Sequence, residues 1–261
     1  MLEQYFKLQW IEKKEHSFFL GLGYTLISIL AAYLILPSFT GIASIGLTTA
    51  LLLPSLNALL KEEENVEIRE KKLSPTLLFK DHIDIIKVYF FVFFGVFTAY
   101  IAIPLIFGVQ FATRYFSDLL HLTGMVGSAS SPDVFLIILQ NNLIVLFAVF
   151  ALSLIYGAGS IFYLTINAAT WGMFFGVVFL LQQTQSFFIQ LLTVLPHTIL
   201  EGLGYILIAI AGGVLSKAVI REKIGSTKFY HVVVDSAIIG TLAILTIIIA
   251  ALVEVLAFNL M

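Results

Sequence analysis

Few residues in this chain are equipped for chemistry, and those few stand where polar groups are costly. Asn141 and Asn142, Asn167, His197 with Glu201, and Glu254 each interrupt a long apolar run. Polar and ionisable side chains within hydrocarbon face a bundle interior, where they tie helices together or mark a functional path. His197 and Glu201 are four residues apart and so fall on one side of a helix. Pro196, just before them, suits a first helical turn. One His and one Glu fall short of the three protein ligands of a catalytic zinc, and no HExxH occurs. With no cysteine in the chain, thiol catalysis, disulfides and cysteine-held metal are also excluded. No catalytic residue, metal or cofactor is therefore expected. The set Asn141, Asn142, Asn167, His197 and Glu201 reads in one of two ways. It is an interhelical hydrogen-bond clasp, or it lines a site for a solute, ion, lipid headgroup or partner.

The elements that must position these residues are membrane helices. Of 261 residues 60% are apolar and 11% charged, against about 25% charged in soluble domains, and the mean hydropathy is +1.03. A core of this size could not hide so much apolar surface from water. Disorder, nucleic-acid binding and a secreted disulfide scaffold are excluded with it. Apolar runs of about 18 residues or more read as spans, and seven are counted, over 18–36, 40–60, 84–107, 134–156, 158–181, 196–217 and 232–257. Pro54 weakens the second, which reads as a full span or a kinked or re-entrant segment. The first run is too long for a cleaved signal peptide and a second follows almost at once. Thirteen of the 14 basic residues flank one set of helix ends, and only Arg114 lies opposite. By the positive-inside rule the N-terminus is cytoplasmic and the C-terminus outside. Omitting the second span would divide the basic clusters between both faces.

The connections carry patterns of their own. Residues 61–73 mix Glu with Lys and Arg as in a solvated helical extension. On the outer side Phe111, Tyr115, Leu119 and Leu122 recur at helical spacing opposite Gln110, Arg114, Ser117 and Asp118, which predicts an interfacial amphipathic helix. Phe187, Phe188, Leu191, Leu192 and Leu195 predict a second. Ser131, Pro132 and Asp133 look like the start of the fourth span. Gly157 and Gly159 suit a tight turn that makes the fourth and fifth spans antiparallel neighbours. Gly172 with Gly176, and Ala209 with Gly213, are small-residue pairs that let helices approach closely, within the chain or in a homo-oligomer.

Taken in order, Asn141-Asn142, Gly157, Asn167, Gly172, Gly176, Pro196-His197, Glu201, Gly204 and Gly212-Gly213 resemble the stage II sporulation protein M family of integral membrane proteins. The likeness begins at Asp81-His82 and covers roughly 80–256. It implies a family unit of one helix, an outer linker and four further helices, so the chain divides into an N-terminal segment, hairpin and charged loop over 1–79 and a family domain over 80–261. It further implies a non-enzymatic scaffold at the cell membrane. In the sporulation member such a scaffold recruits envelope-remodelling hydrolases. The extra hairpin and charged loop depart from that pattern. A transporter, channel or lipid-handling protein is the alternative, favoured by the polar residues converging in the outer leaflet and the break at Pro196. An intramembrane hydrolase is a lesser one, lacking both a nucleophile–base pair and a metal triad. The expected partners are the lipid bilayer, envelope proteins or hydrolases, and a second copy of the chain.

Overall fold

A computed structural model describes residues 14–69, 75–119, 134–156, 160–181 and 184–258. They form α1 (Lys14–Ile35), a 3-10 turn (Pro37–Phe39), α2 (Thr40–Arg69), α3 (Pro75–Phe107), α4 (Val109–Tyr115), α5 (Val134–Tyr156), α6 (Ile161–Leu181), α7 (Thr184–Arg221) and α8 (Thr227–Phe258). All but α4 and the turn are long and apolar enough to cross a membrane, which makes seven spans. Helices are the economical solution here, because every backbone group that enters hydrocarbon is bonded within its own segment. The hydroxyls follow the same rule: Thr25 donates to the Gly21 carbonyl at 2.7 Å and Thr165 to that of Ile161 at 2.7 Å. The second span is a continuous helix through Pro54.

Three elements depart from the expected pattern. The stripe from Phe187 to Leu195 and the sixth span are not separate, since α7 runs unbroken from Thr184 to Arg221 with Pro196 inside it. Its 38 residues extend about 57 Å at 1.5 Å per residue, well beyond a hydrocarbon layer of about 30 Å. Its N-terminal turns therefore lie outside that layer or bend at the proline. The linker helix α4 ends at Tyr115, and Phe116, missing from the predicted stripe, is fully buried. Asp118, assigned to the polar side of that stripe, instead turns inward, and its Oδ2 accepts the Ile42 N–H at 2.7 Å near the start of α2. A carboxylate there meets unpaired N–H groups and the positive end of the helix dipole. The charged extension continues α2 as far as Arg69. Its last residues, together with Leu122, Ser131, Pro132, Asp133, Gly157 and Gly159, lie outside the described residues.

Packing sorts the spans into two groups. In one, α3 lies between α1 and α6, with α2 against α1 and α4 over the end of α3; in the other, α7 lies between α5 and α8. Contacts of α7 with α2, α6 and α3 join the groups. Among the described residues α5 and α6 are not packing neighbours, contrary to the expectation from the Gly157 turn. The reason lies in where α6 has its small residues. Gly172 is set so tightly on α3 that a Cβ there would stand 2.5 Å from the Phe97 carbonyl oxygen, and Gly176 meets Ile101 and Pro104. Gly212 on α7 does the same for α5, where a Cβ would reach Ser153 Cβ at 2.7 Å, and Gly204 does it for Ile247 of α8. Small residues choose the partner in lipid, where close backbone approach replaces the hydrophobic drive. Chain adjacency does not override them.

Gly172→Ala is expected to lower thermal stability by about 1–3 kcal/mol, the usual cost of overpacking a fitted interior. Gly46 has open space around its Cα, so Gly46→Ala is expected to be neutral or to gain about 0.5–1 kcal/mol. Melting curves of both variants in the same detergent check this, and equal melting points would remove the close α3–α6 approach.

Candidate functional site

The polar residues that meet do so between α5, α7 and α8. Asn142 on α5 and Glu201 on α7 are both buried, and Asn142 Nδ2 donates to Glu201 Oε1 at 2.7 Å. One turn further along α7, the buried Tyr205 hydroxyl donates to Asn142 Oδ1 at 3.3 Å. The amide is thus held at both ends, which fixes its orientation. Glu254 on α8 is 4% exposed, makes no hydrogen bond among the described residues, and lies within electrostatic range of Glu201 and Tyr205. Gly204 of α7 lies against Ile247 of α8, so in this antiparallel pair Glu254 lies nearer the C-terminal end of α8 than the level of Glu201.

The other expected members stand elsewhere. Asn141 is exposed on the outside of α5 and takes no part in the network. A helix turns by about 100° per residue, so the two neighbouring asparagines cannot both face α7. Asn167 donates to the Tyr163 carbonyl of its own helix at 2.9 Å, and α6 belongs to the other packing group. His197 is buried but makes no hydrogen bond with Glu201. Its ring stands edge-on to Trp171 of α6 at 6.2 Å, and among the described residues its Nδ1 makes no hydrogen bond of good geometry. Four residues advance a helix by about 400°, leaving an offset of about 40°. That offset is enough to send Glu201 toward α5 while His197 turns toward α6. Pro196 is exposed, and Gly172, Gly176, Gly204, Gly212 and Gly213 are buried packing positions.

Two participants were not assigned from sequence. Tyr205 carries a signal that could have found it, because it follows Glu201 by four residues and so shares its face. Glu254 was noted as an intramembrane acid, but its position beside Glu201 depends on the α7–α8 packing and has no local signature. In chemical terms the site is a carboxyl, an amide and a phenol in series beside a second carboxyl. Among the described residues it offers hydrogen-bond donors and acceptors in a buried setting. Among the described residues no three His, Asp or Glu side chains gather where a metal could be held.

The family model for stage II sporulation protein M matches residues 87–257. The chain belongs to that family. Asn142, Glu201, Tyr205 and Glu254 all fall inside the matched stretch, whereas α1 and α2 precede it. No curated protein and no solved structure matches the chain. In this member of the family α1 and α2 are nonetheless built into the same bundle. The Tyr100 and Ser44 hydroxyls share a hydrogen bond at 2.8 Å, and Lys217 Nζ donates to Asn57 Oδ1 at 3.2 Å.

Replacing Asn142 with Leu strands the Glu201 carboxyl and the Tyr205 hydroxyl, and buried groups without partners cost about 1–3 kcal/mol each. Asn141→Leu should leave stability unchanged. Glu201→Gln keeps an acceptor for Asn142 and should melt closer to the parent than Glu201→Leu. Thermal unfolding of the four variants decides it: Asn141→Leu losing as much as Asn142→Leu would contradict the geometry.

Proposed function

We propose that this protein is a non-enzymatic scaffold of the cell membrane that organises envelope partners through the end of the bundle opposite its basic clusters. The observation that carries this reading is the pinning of the α4 linker. Asp118 binds the start of α2, while Phe116 is buried edge-on against Tyr100, and Phe111 and Tyr115 pack on Tyr33. A connection seated by these contacts offers a preorganised surface, and preorganisation lowers the ordering cost of docking a partner. Family membership supports the reading as well. Lys217, Arg221, Lys223 and Lys228 stand together at the far ends of α7 and α8, and the positive-inside rule makes that face cytoplasmic. The N-terminus is then inside, the C-terminus outside, and α4 extracytoplasmic.

A second reading, movement of a solute or lipid, is favoured by one specific feature. Buried carboxyls without a basic partner are expensive to keep in a membrane protein, and such groups often mark ion pathways. The apolar cleft lined by Phe90, Phe93, Phe97, Phe175 and Gly202, between α3, α6 and α7, does not reach them.

The orientation is tested on this natively cysteine-free chain with single cysteines at exposed sites. An impermeant thiol reagent added to intact cells should label Gln110→Cys and spare Thr227→Cys. The reverse pattern would invert the topology and take the scaffold's docking face with it. A photo-reactive residue at Gln110 should then form an adduct with a specific envelope protein, identified by mass spectrometry, that weakens when Asp118→Ala releases the linker. Adducts with lipid alone would favour the second reading.

A further inference from the structure

We infer that α5 is a dimerisation helix, which binds the α5 of a second copy of the chain with the two Asn141 amides hydrogen-bonded across the interface. The inference adds a contact surface to the scaffold and does not depend on that reading. Of the seven spans α5 is the least enclosed, with 22% of its most apolar stretch buried against 33% or more in each of the others. Among the described residues it packs on α7 and α8 along one side. Its opposite side carries Ile137, Asn141, Ile144, Ala148, Ala151 and Ile155, spaced alternately by four and three, which is the spacing of a helix–helix seam. Ile137, Ile144 and Ile155 are each more than half exposed, and Asn141 and Ala151 are exposed with them.

An apolar seam alone would be satisfied by lipid, but Asn141 is not. The 23 residues of α5 extend about 35 Å, little more than a hydrocarbon layer of about 30 Å. Asn141 stands seven residues in from Val134, about 10 Å along the axis, and its side chain is too short to reach back to the headgroups as Lys or Arg does. Other incompletely enclosed polar groups of the spans find partners within the chain. The Thr49, Thr98, Thr241 and Thr246 hydroxyls donate to carbonyls of their own helices, Asn167 does the same, and Asn57 accepts from Lys217. Asn141 makes no hydrogen bond among the described residues, and an unmatched amide in hydrocarbon is costly. A second copy supplies what it lacks. Copies that cross the bilayer in the same sense are related by a two-fold axis along the membrane normal, which puts each Asn141 opposite its own counterpart at the same depth. An amide carries both donors and an acceptor, so the pair satisfies itself, whereas a lipid tail offers neither. Ala148 and Ala151 then let the two backbones approach closely further along the seam. The small residues singled out on other helices, Gly172, Gly176, Ala209 and Gly213, are buried inside the bundle and do not face a partner.

Single cysteines in the natively cysteine-free full chain locate the interface in native membranes. Oxidation with copper phenanthroline should link Ile137→Cys and Ile144→Cys chains into disulfide dimers and spare Leu34→Cys on α1 and Leu245→Cys on α8, positions that are exposed as well. The affinity is read from the purified chain in vesicles of phosphatidylcholine and phosphatidylglycerol, as energy transfer between donor- and acceptor-labelled copies at a series of protein-to-lipid ratios. Asn141→Leu should weaken the dimer about eightfold, the loss of two interhelical hydrogen bonds of average strength. Asn141→Gln keeps the amide and should stay near the parent, while Ala151→Phe wedges the backbones apart and should abolish the dimer. Because Asn141 bonds nothing within its own chain, the melting of the single bundle in excess detergent should be the same for all Asn141 variants. Chains that remain monomeric in the vesicles would overturn the inference, as would disulfides formed through α1 or α8 instead, or an Asn141→Leu dimer as tight as the parent's. Crosslinks from the seam to a different protein in native membranes, with the purified chain monomeric, would overturn it in favour of a partner helix.

Discussion

Hydrocarbon offers a polar side chain no water, so each such group must find its partner inside the protein, and in this chain that constraint falls most heavily on α7. It carries Glu201 and Tyr205 to Asn142 on one side and His197 to Trp171 on another. At its far end Lys217 reaches Asn57 on α2. The Asn142–Glu201 bond joins two polar side chains buried in the interior of the spans. Without it the Glu201 carboxyl and the amide nitrogen of Asn142 would be stranded between α5 and α7, at about 1–3 kcal/mol for each group.

The apolar contacts obey a complementary rule. Where no polar bond ties two helices, close backbone approach does, and the glycines set it: Gly172 and Gly176 bring α6 onto α3, and Gly21 lies against the Val92 carbonyl to seat α1 on the same helix. The α1–α3 and α3–α6 contacts are close backbone approaches, with tilted and edge-to-face phenylalanines along Phe90, Phe94 and Phe97 on the surface of α3, while the Tyr100–Ser44 bond ties α3 to α2. The group built on α7 uses shape and hydrogen bonds together. In lipid a shape-held contact is cheap to form but weakly directional, whereas a buried hydrogen bond admits few alternatives.

Much of this was legible in the residues. Span number follows from run length, because a hydrocarbon layer of fixed thickness demands a minimum of apolar residues, and even Pro54 did not break the second. Asn142 and Glu201 were legible as costly intramembrane groups. What the residues did not reveal were relations between helices. Nothing local distinguishes Asn141 from Asn142, since which one faces inward depends on the rotation of α5 about its axis. The short turn at Gly157 suggested neighbours, yet Gly172 and Gly176 drew α6 to α3. Asp118 looked like a solvated residue on a helix of regular period, and only the fold brings it to Ile42. In each case periodicity supplied a face, and packing between helices decided what that face would meet.

The α4 linker and the α7–α8 pair are both met by α2. This helix precedes the family match, yet it is held by Asp118 at its first turn and packs on both α7 and α8 further along. The hairpin of α1 and α2 therefore takes part in both packing groups, with α1 and the start of α2 against α3 and the linker and the rest of α2 against α7 and α8. A segment that precedes the family match is in this way integral to the bundle, because in lipid each added helix is kept by the close contacts and polar bonds it makes with its neighbours.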